Sequence, residues 1–285
     1  MELVEWTRRA ATRLHQVVAF GRTGLKARDK FKMAVIGYAR CHTFGAPGII
    51  SQVGRTLFPV IAVRHSLLGG LILQIDPSDL SHLVVIEEIL IEQVYDLSLV
   101  PFTPDFVLDC GAHAGIFALL VASTFPKSKL ICFEPDPRNY EWVRNQISQN
   151  GLEAEVLPVA ISTVDGSAQF QDGRGCGSAL VEEPAQTCHA ISVGTLDLGG
   201  YIAKVQPQRL LLKMDVEGAE EKVLPEVVDV FPKDCVVFLE THRGEESWRQ
   251  LSTLLREHGF AVRPTRRRDA FTDGVAIRTS STNSR

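Results

Sequence analysis

The sequence predicts an α/β protein with a mostly parallel central sheet, helices on both faces and an antiparallel C-terminal strand. Three observations carry that prediction. From about Asp105 onward, short apolar runs alternate with longer amphipathic ones, the order that builds a parallel sheet. The apolar runs end in charge and glycine, as in "RLLLKMDVEGAEEKVL", where such sheets place their ligands. The last two runs, "FAVRP" and "GVAIRT", read as a closing pair of strands.

The elements follow in chain order. In residues 1–100, Leu3, Val4, Leu14, Val17 and Val18 recur at roughly helical spacing among arginines. "TLFPVIAVRHSLLGGLILQIDPSD" reads as two strands joined at Gly69 and Gly70, and "LSHLVVIEEILIEQVYDL" as a helix stopped before Pro101. These make an N-terminal helical and hairpin extension, expected to shape an acceptor site. Residues 101–280 form the main domain. "DFVLDC" is a strand, "AGIFALLVASTF" a helix, "KLICFEP" a strand, and "RNYEWVRNQISQNG" a helix with Asn150 and Gly151 at its C-terminal cap. "EVLPVAIS" reads as the third strand. A glycine-containing insert, "GRGCGSAL", is either a flap or a surface loop, and "VGTLDL" is an extended lead into the fourth strand, "RLLLKMD". The helix "GAEEKVLPEVV", the strand "CVVFLETH" and the helix "ESWRQLSTLLREHG" complete the alternation. Residues 281–285 read as a disordered tail.

Composition narrows the function classes. The chain of 285 residues has a formal net charge of −4, which gives no general pull toward nucleic acid. The first 40 residues are basic, with Arg8, Arg9, Arg13, Arg22, Lys26, Arg28, Lys30, Lys32 and Arg40 against Glu2, Glu5 and Asp29. Such a segment suits a solvated helix face or a peripheral membrane contact. The six cysteines contain no C-x-x-C pair, which predicts reduced, buried thiols and a cytoplasmic setting. No apolar run approaches the ~20 residues of a membrane span.

The chemistry gathers at strand ends. Asp109 closes the first strand, and Gly111 and Gly115 follow in a tight turn with Ala112 and His113 between them. This is not the G-x-G-x-x-G that cradles a pyrophosphate. A carboxylate ahead of the first glycine repels phosphate and suits a cationic ligand, which S-adenosylmethionine is. Glu134 lies 25 residues later at the end of the next strand, where a carboxylate accepts two ribose hydroxyls. Ala160 and Ile161 end the third strand and offer an apolar border for an adenine. Lys213, Asp215 and Glu217 fall at the fourth strand end and His242 just past the fifth. Glu220 and Glu221 suit the start of a helix. A buried Lys213 must be paired, with Glu217 or Glu240 as the expected partner.

The turn acid–x–Gly–x–x–x–Gly and the acid on the next strand resemble the Rossmann-like class I S-adenosylmethionine-dependent methyltransferases. "KMDVEGAE" is similar to the K-[IM]-D-V-E-G-A-E signature of the FkbM-type methyltransferases, and "DCGAHAG", "FEPDP", "RNQISQNGL", "VAIS", "TLDL" and "VVFLETH" stand in the matching order. The resemblance runs from about Glu88 to Ile277. The family usually has isoleucine and asparagine where this chain has Cys110 and His113.

The resemblance implies S-adenosylmethionine-dependent methylation of a hydroxyl on a sugar, glycan or secondary metabolite. Asp109, Gly111 and Gly115 would line the methionine portion, His113 would donate toward it, Glu134 would hold the ribose, and Asp215 would sit near the sulfonium and the acceptor. Asp215, Glu217 and His242 are the candidate bases, histidine being the usual one at neutral pH. Asp215, Glu217, Glu240 and His242 could instead hold a divalent metal, although no tight ligand spacing supports one. A silent cofactor-binding module and an NAD-dependent oxidoreductase are the alternatives.

Overall fold

Residues 17–22, 24, 26–43, 60–76, 79–171, 180–181, 190–267 and 272–280 are described by the computed structural model of the chain. The chain divides into two units, Met1–Gln93 and Val94–Arg285. No described helix is long and apolar enough to cross a membrane. Leu3, Val4, Leu14, the arginines at 8, 9 and 13, most of "GRGCGSAL" and the tail lie outside the described residues.

In the first unit, residues 17–22 are helical, followed by α1 (Ala27–Thr43). Strands β1 (Ile61–Arg64) and β2 (Ile72–Ile75) pair antiparallel. Gly69 and Gly70 adopt the left-handed conformation in the connection, at φ 57° and 95°, which glycine enters without a Cβ penalty. Asp79 caps α2 (Leu80–Ile86) by accepting from Ser81 N at 2.9 Å. The helix expected to reach Pro101 ends sooner. It widens into a π turn over Glu87–Ile91 and stops at Gln93, whose φ of 53° no helix accommodates.

The second unit holds the alternating pattern. Its elements are β3 (Phe106–Cys110), α3 (Ile116–Thr124), β4 (Lys129–Phe133), α4 (Pro137–Gln149) and β5 (Ala154–Leu157). Then come β6 (Val159–Ser162), β7 (Gly166–Gln171), β8 (Leu180–Val181), β9 (Ala190–Asp197) and α5 (Leu198–Val205). Last are β10 (Arg209–Met214), α6 (Glu220–Val227), β11 (Asp234–Thr241), α7 (Gly244–Glu257), β12 (Ala261–Arg267) and β13 (Thr272–Arg278).

Seven strands form the main sheet in the order β5-β4-β3-β10-β11-β13-β12. Pairings from β5 to β11 are parallel, and β13 runs antiparallel to both β11 and β12. This is the Rossmann-like sheet that the sequence predicts. Its strand order reverses between β3 and β10, and the C-terminal ends of these strands are where sheets of this kind take their ligands.

The apolar strands are near-continuous because both faces are covered. Leu210, Leu212 and Met214 of β10 pack with Val237 and Leu239 of β11 and with Ile202, Leu224 and Leu251 from α5, α6 and α7. Leu211, Val236 and Phe238 are as fully buried on the opposite face, where Phe238 meets Phe117 of α3 at 6.4 Å between ring centroids.

Two expectations change. "EVLPVAIS" is two strands rather than one: β5 pairs with β4, whereas β6 leaves the main sheet and pairs with β9 in a four-stranded sheet ordered β6-β9-β7-β8. Pro158 stands at the junction, where it has no N–H to continue a ladder. Helix α5, absent from the sequence reading, fills the space between "VGTLDL" and β10.

Helix α7 sets its Trp248 ring against the backbone of β13 at Gly274. A Cβ at Gly274 would lie 2.0 Å from Trp248 Cη2 and 2.9 Å from the Arg263 carbonyl. Gly274→Ala should therefore cost about 1–3 kcal/mol by overpacking, read as a lower urea midpoint. An unchanged midpoint would show that the Trp248 ring can step aside.

Candidate active site

The site grows from the turn after β3. Gly111, His113 and Gly115 take φ values of 82°, 50° and 79°, so left-handed residues alternate through it. Histidine, like asparagine, is among the few non-glycine residues enriched there. That gives a physical reason for the His113 substitution in a position that FkbM-type sequences usually fill with asparagine. Gly111 N and Ala112 N both donate to the Phe133 carbonyl, at 3.0 and 3.1 Å, which ties the turn to the end of β4.

Glu134 follows β4 directly and is buried. Its Oε2 accepts from His113 N at 2.7 Å and its Oε1 from Asp136 N at 2.9 Å. Burial pushes its pKa up to about 8, outweighing these two hydrogen bonds. One carboxylate thus fixes the glycine turn and the β4–α4 turn together. Each oxygen keeps a further lone pair for a hydroxyl.

Lys213 of β10 stands in register with Asp109 of β3. Its ammonium reaches the Gly111 carbonyl at 2.7 Å, Asp215 Oδ2 at 3.3 Å and Asp109 Oδ1 at 3.5 Å. The expected pairing with Glu217 or Glu240 is not what forms. In-register neighbours across a parallel ladder share a face, so Asp109 is the nearer anion, and Glu240 acts on Lys213 through its charge alone. Burial alone would lower the lysine pKa, but Asp215 and Asp109 outweigh it and hold the ammonium above its usual range. For Asp109, fully buried, desolvation dominates and pushes the carboxyl upward. It reaches the site through Lys213.

The loop from Asp215 to Gly218 presses against the same turn. Asp215 N donates to the Cys110 carbonyl at 3.2 Å, and a Cβ on Gly111 would sit 1.9 Å from the Asp215 carbonyl oxygen. Only glycine allows that approach. Glu217 and Gly218 are both left-handed, at φ 54° and 98°. Glu220, 1% exposed, holds this loop by accepting from Val216 N and Gly218 N, each at 2.8 Å. It is therefore far more than a helix-start residue.

His242, just beyond β11, lies among four carboxylates. Its Nδ1 is 3.1 Å from Glu220 Oε1, and its Nε2 is 3.6 Å from Asp215 Oδ1, 3.5 Å from Glu217 Oε2 and 3.5 Å from Glu240 Oε1. Burial opposes protonation, but the Glu220 bond and the surrounding acids raise the imidazole to about 9. Glu217 is raised to about 7, by burial first and against the His242 charge. Asp215 is held below its usual value despite burial, because Lys213 and then His242 favour its anion. Asp215, Glu240 and His242 bring ligand atoms within 4.8 Å of one another, close enough for a cation. Acid-rich clefts adopt such spacings without one, and no metal is assigned.

Asp109, Gly111, Ala112, His113, Gly115, Lys213, Asp215, Glu217 and His242 thus meet around one pair of strand ends, with Glu134 bracing the turn from β4. Ala160 and Ile161 stand apart on β6, buried in the second sheet and its packing. Sequence reasoning passed over the role of Glu220 and all of Tyr95, whose hydroxyl lies 3.3 Å from Asp215 Oδ2. The acid pair Glu220 and Glu221 signalled only a helix start, and Tyr95 carried no local signal.

Similar proteins bear on this geometry. A family model described as Methyltransferase FkbM domain matches residues 109–262. "Methyltransferase 1" of Beauveria bassiana is 28% identical over 62% of this chain and 80% of its own. "2-O-methyltransferase NoeI" of Sinorhizobium fredii is 27% identical over 50% and 66%. "31-O-demethyl-FK506 methyltransferase FkbM" of Streptomyces tacrolimicus is 26% identical over 55% and 73%. Solved structures align at 11% to 14% identity with TM-scores of 0.38 to 0.43.

The Lys213 contacts make a stability prediction. Lys213→Met leaves Asp109 buried without its cation and should cost about 3–5 kcal/mol. Adding Asp109→Asn should recover part of that loss. Urea unfolding of the single and double variants checks it; equal midpoints would show that the two residues are not coupled.

Proposed function

The chain belongs to the methyltransferase FkbM family, and from that premise we propose that it methylates a hydroxyl on a sugar, glycan or secondary metabolite, with S-adenosylmethionine as donor. The observation that carries the reading is the register of β3 against β10, which sets the glycine turn beside Lys213 and Asp215 at the switch point of the sheet. Two relatives named for O-methylation support a hydroxyl acceptor.

The residues present fit this donor. Five carboxyl groups, Asp109, Asp215, Glu217, Glu220 and Glu240, gather around Lys213 and His242, and Glu134 stands beside the glycine turn. That suits a ligand with a sulfonium and an ammonium, and it disfavours the pyrophosphate of a dinucleotide. In this reading Glu134 accepts the ribose hydroxyls, the turn from Gly111 to Gly115 with Ala112 and His113 borders the methionine portion, and Asp215 faces the sulfonium. Ala160 and Ile161 would border the adenine only from the rim of β6.

When bound, S-adenosylmethionine supplies an electrophilic methyl group. The protein's part is to align the acceptor oxygen and take its proton. Aligning reactants contributes about 7–11 kcal/mol in favourable cases. Asp215, Glu217 and His242 are the candidate bases from sequence, but at about 9 His242 is already an imidazolium at neutral pH and has no lone pair to offer. Asp215, held ionised by Lys213, is a weak base. Glu217, near 7 and about a quarter exposed, has a proton affinity matched to neutral pH. We assign it the acceptor proton, with His242 beside it holding the site's charge in balance.

Glu134→Ala should weaken S-adenosylmethionine binding by at least 10-fold, on the order of two lost hydrogen bonds, measured by titration calorimetry; unchanged affinity would remove the ribose assignment. Turnover should require Glu217 ionised and His242 protonated. The acceptor kcat/KM should therefore rise through about pH 7 and fall above about pH 9. Glu217→Gln should lower kcat by about 10²–10⁴-fold and abolish the acid limb. Survival of that limb in the variant would return the base role to His242 or Asp215. Binding without turnover across a broad panel of hydroxylated acceptors would favour a silent module, and tight NAD binding in place of S-adenosylmethionine an oxidoreductase.

A further inference from the structure

Tyr95 lies outside the span that matches the family model, residues 109–262, yet it enters the site. Its ring is 4% exposed and is held by two phenylalanines. It meets Phe117 edge-on at 5.3 Å and 78°, and Phe238 tilted at 5.7 Å and 58°. Phe117 is the second residue of α3, the helix that starts from the glycine turn, and Phe238 is the β11 neighbour of Lys213 in the sheet register. The elements that carry the site therefore also fix the orientation of the tyrosine. The Lys213 ammonium lies 5.6 Å from the centre of its ring, within cation–π range.

The hydroxyl emerges from this apolar grip between two carboxylates. It is 3.3 Å from Asp215 Oδ2 and 3.5 Å from Glu240 Oε2. On the other side of the same two acids, His242 Nε2 is 3.6 Å from Asp215 Oδ1 and 3.5 Å from Glu240 Oε1. The four groups close a ring in which Asp215 and Glu240 are bridged twice, once by the imidazole and once by the phenol. A phenol has one proton to give. It can give that proton to either carboxylate, and both contacts are longer than the ~2.5–2.7 Å of a strong O–H···O⁻ bond.

We propose that Tyr95 is a positioning residue of the methyl-transfer site: its hydroxyl holds the Asp215 carboxylate, against Glu240, in the orientation that faces the cationic part of the donor. The proposal rests on the reading of the site as one for S-adenosylmethionine. Without the hydroxyl, Asp215 Oδ2 keeps the Lys213 ammonium at 3.3 Å but loses its link to Glu240 through the phenol. Like charges so placed repel, and Asp215 loses the setting that discriminates a sulfonium from a neutral thioether.

That discrimination can be measured without knowing the acceptor. Tyr95→Phe keeps the ring and removes only the hydroxyl. Dissociation constants for S-adenosylmethionine and S-adenosylhomocysteine, taken by calorimetry on the wild-type and variant full-length chains, give the ratio that reports the charge. The variant should bind S-adenosylmethionine more weakly by on the order of 10-fold, while its affinity for S-adenosylhomocysteine changes less than about twofold and its melting temperature holds. In an Asp215→Asn background, Tyr95→Phe should produce no further selective loss. Unchanged affinities, or equal weakening of both ligands, would overturn the positioning role, since a purely structural defect weakens both alike. A wild-type chain that binds neither ligand would instead overturn the donor reading itself, and the proposal with it.

Discussion

The ammonium of Lys213 is the constraint on which the rest of the site depends. A lysine on a central strand, buried on both faces of a sheet, must find acceptors for all its protons. Here those acceptors are Asp109 on the neighbouring strand, the Gly111 carbonyl in the turn beyond it, and Asp215 just past the lysine's own strand. The three contacts draw the β3 turn and the β10 loop together across the switch point. They bring the two backbones so close that a Cβ on Gly111 would overlap the Asp215 carbonyl. Glycine at that position is thus a consequence of the buried lysine as much as of any ligand.

The alternation of strands and helices, the switch-point location and the strand-end acids were legible in the sequence because each is a local pattern. The apolar run of β10 and the charge that follows it mark a buried strand delivering its end to an edge, whatever else the chain does. Where the reading failed, the deciding physics was not local. Pro158 sends β6 to a second sheet, and nothing short of the pairing partners distinguishes that from a bulge. The Lys213 partner depended on inter-strand register, which sequence periodicity leaves open. Tyr95 reaches Asp215 across 120 residues of chain.

The histidine shows a different limit. Its residue type argued for a base, since an unperturbed imidazole titrates near neutral pH. The field it sits in was invisible, because it is the sum of four carboxylates from the β10 loop, α6 and the end of β11. Those acids raise His242, and what moves Glu217 up to about 7 is desolvation together with Asp215 and Glu220, against the imidazolium. Between these candidate bases the electrostatics of the cluster favours Glu217 over His242. Proton affinity in such a cluster belongs to the group of charges rather than to its members.

Two loops border the site, and both are built on the same device. Each contains a non-glycine residue in the left-handed region, His113 in one and Glu217 in the other, a conformation that costs about 1–2 kcal/mol. Beside each strained residue a buried glutamate accepts two backbone N–H groups: Glu134 from His113 and Asp136, Glu220 from Val216 and Gly218. Charge-assisted bonds to backbone N–H are among the stronger ones available, and two per carboxylate offset the strain they accompany. The acids at the rim therefore divide by what they bind. Glu134 and Glu220 spend bonds on the backbone and shape the loops. Asp215, Glu217 and Glu240 instead contact the side chains of Lys213, His242 and Tyr95.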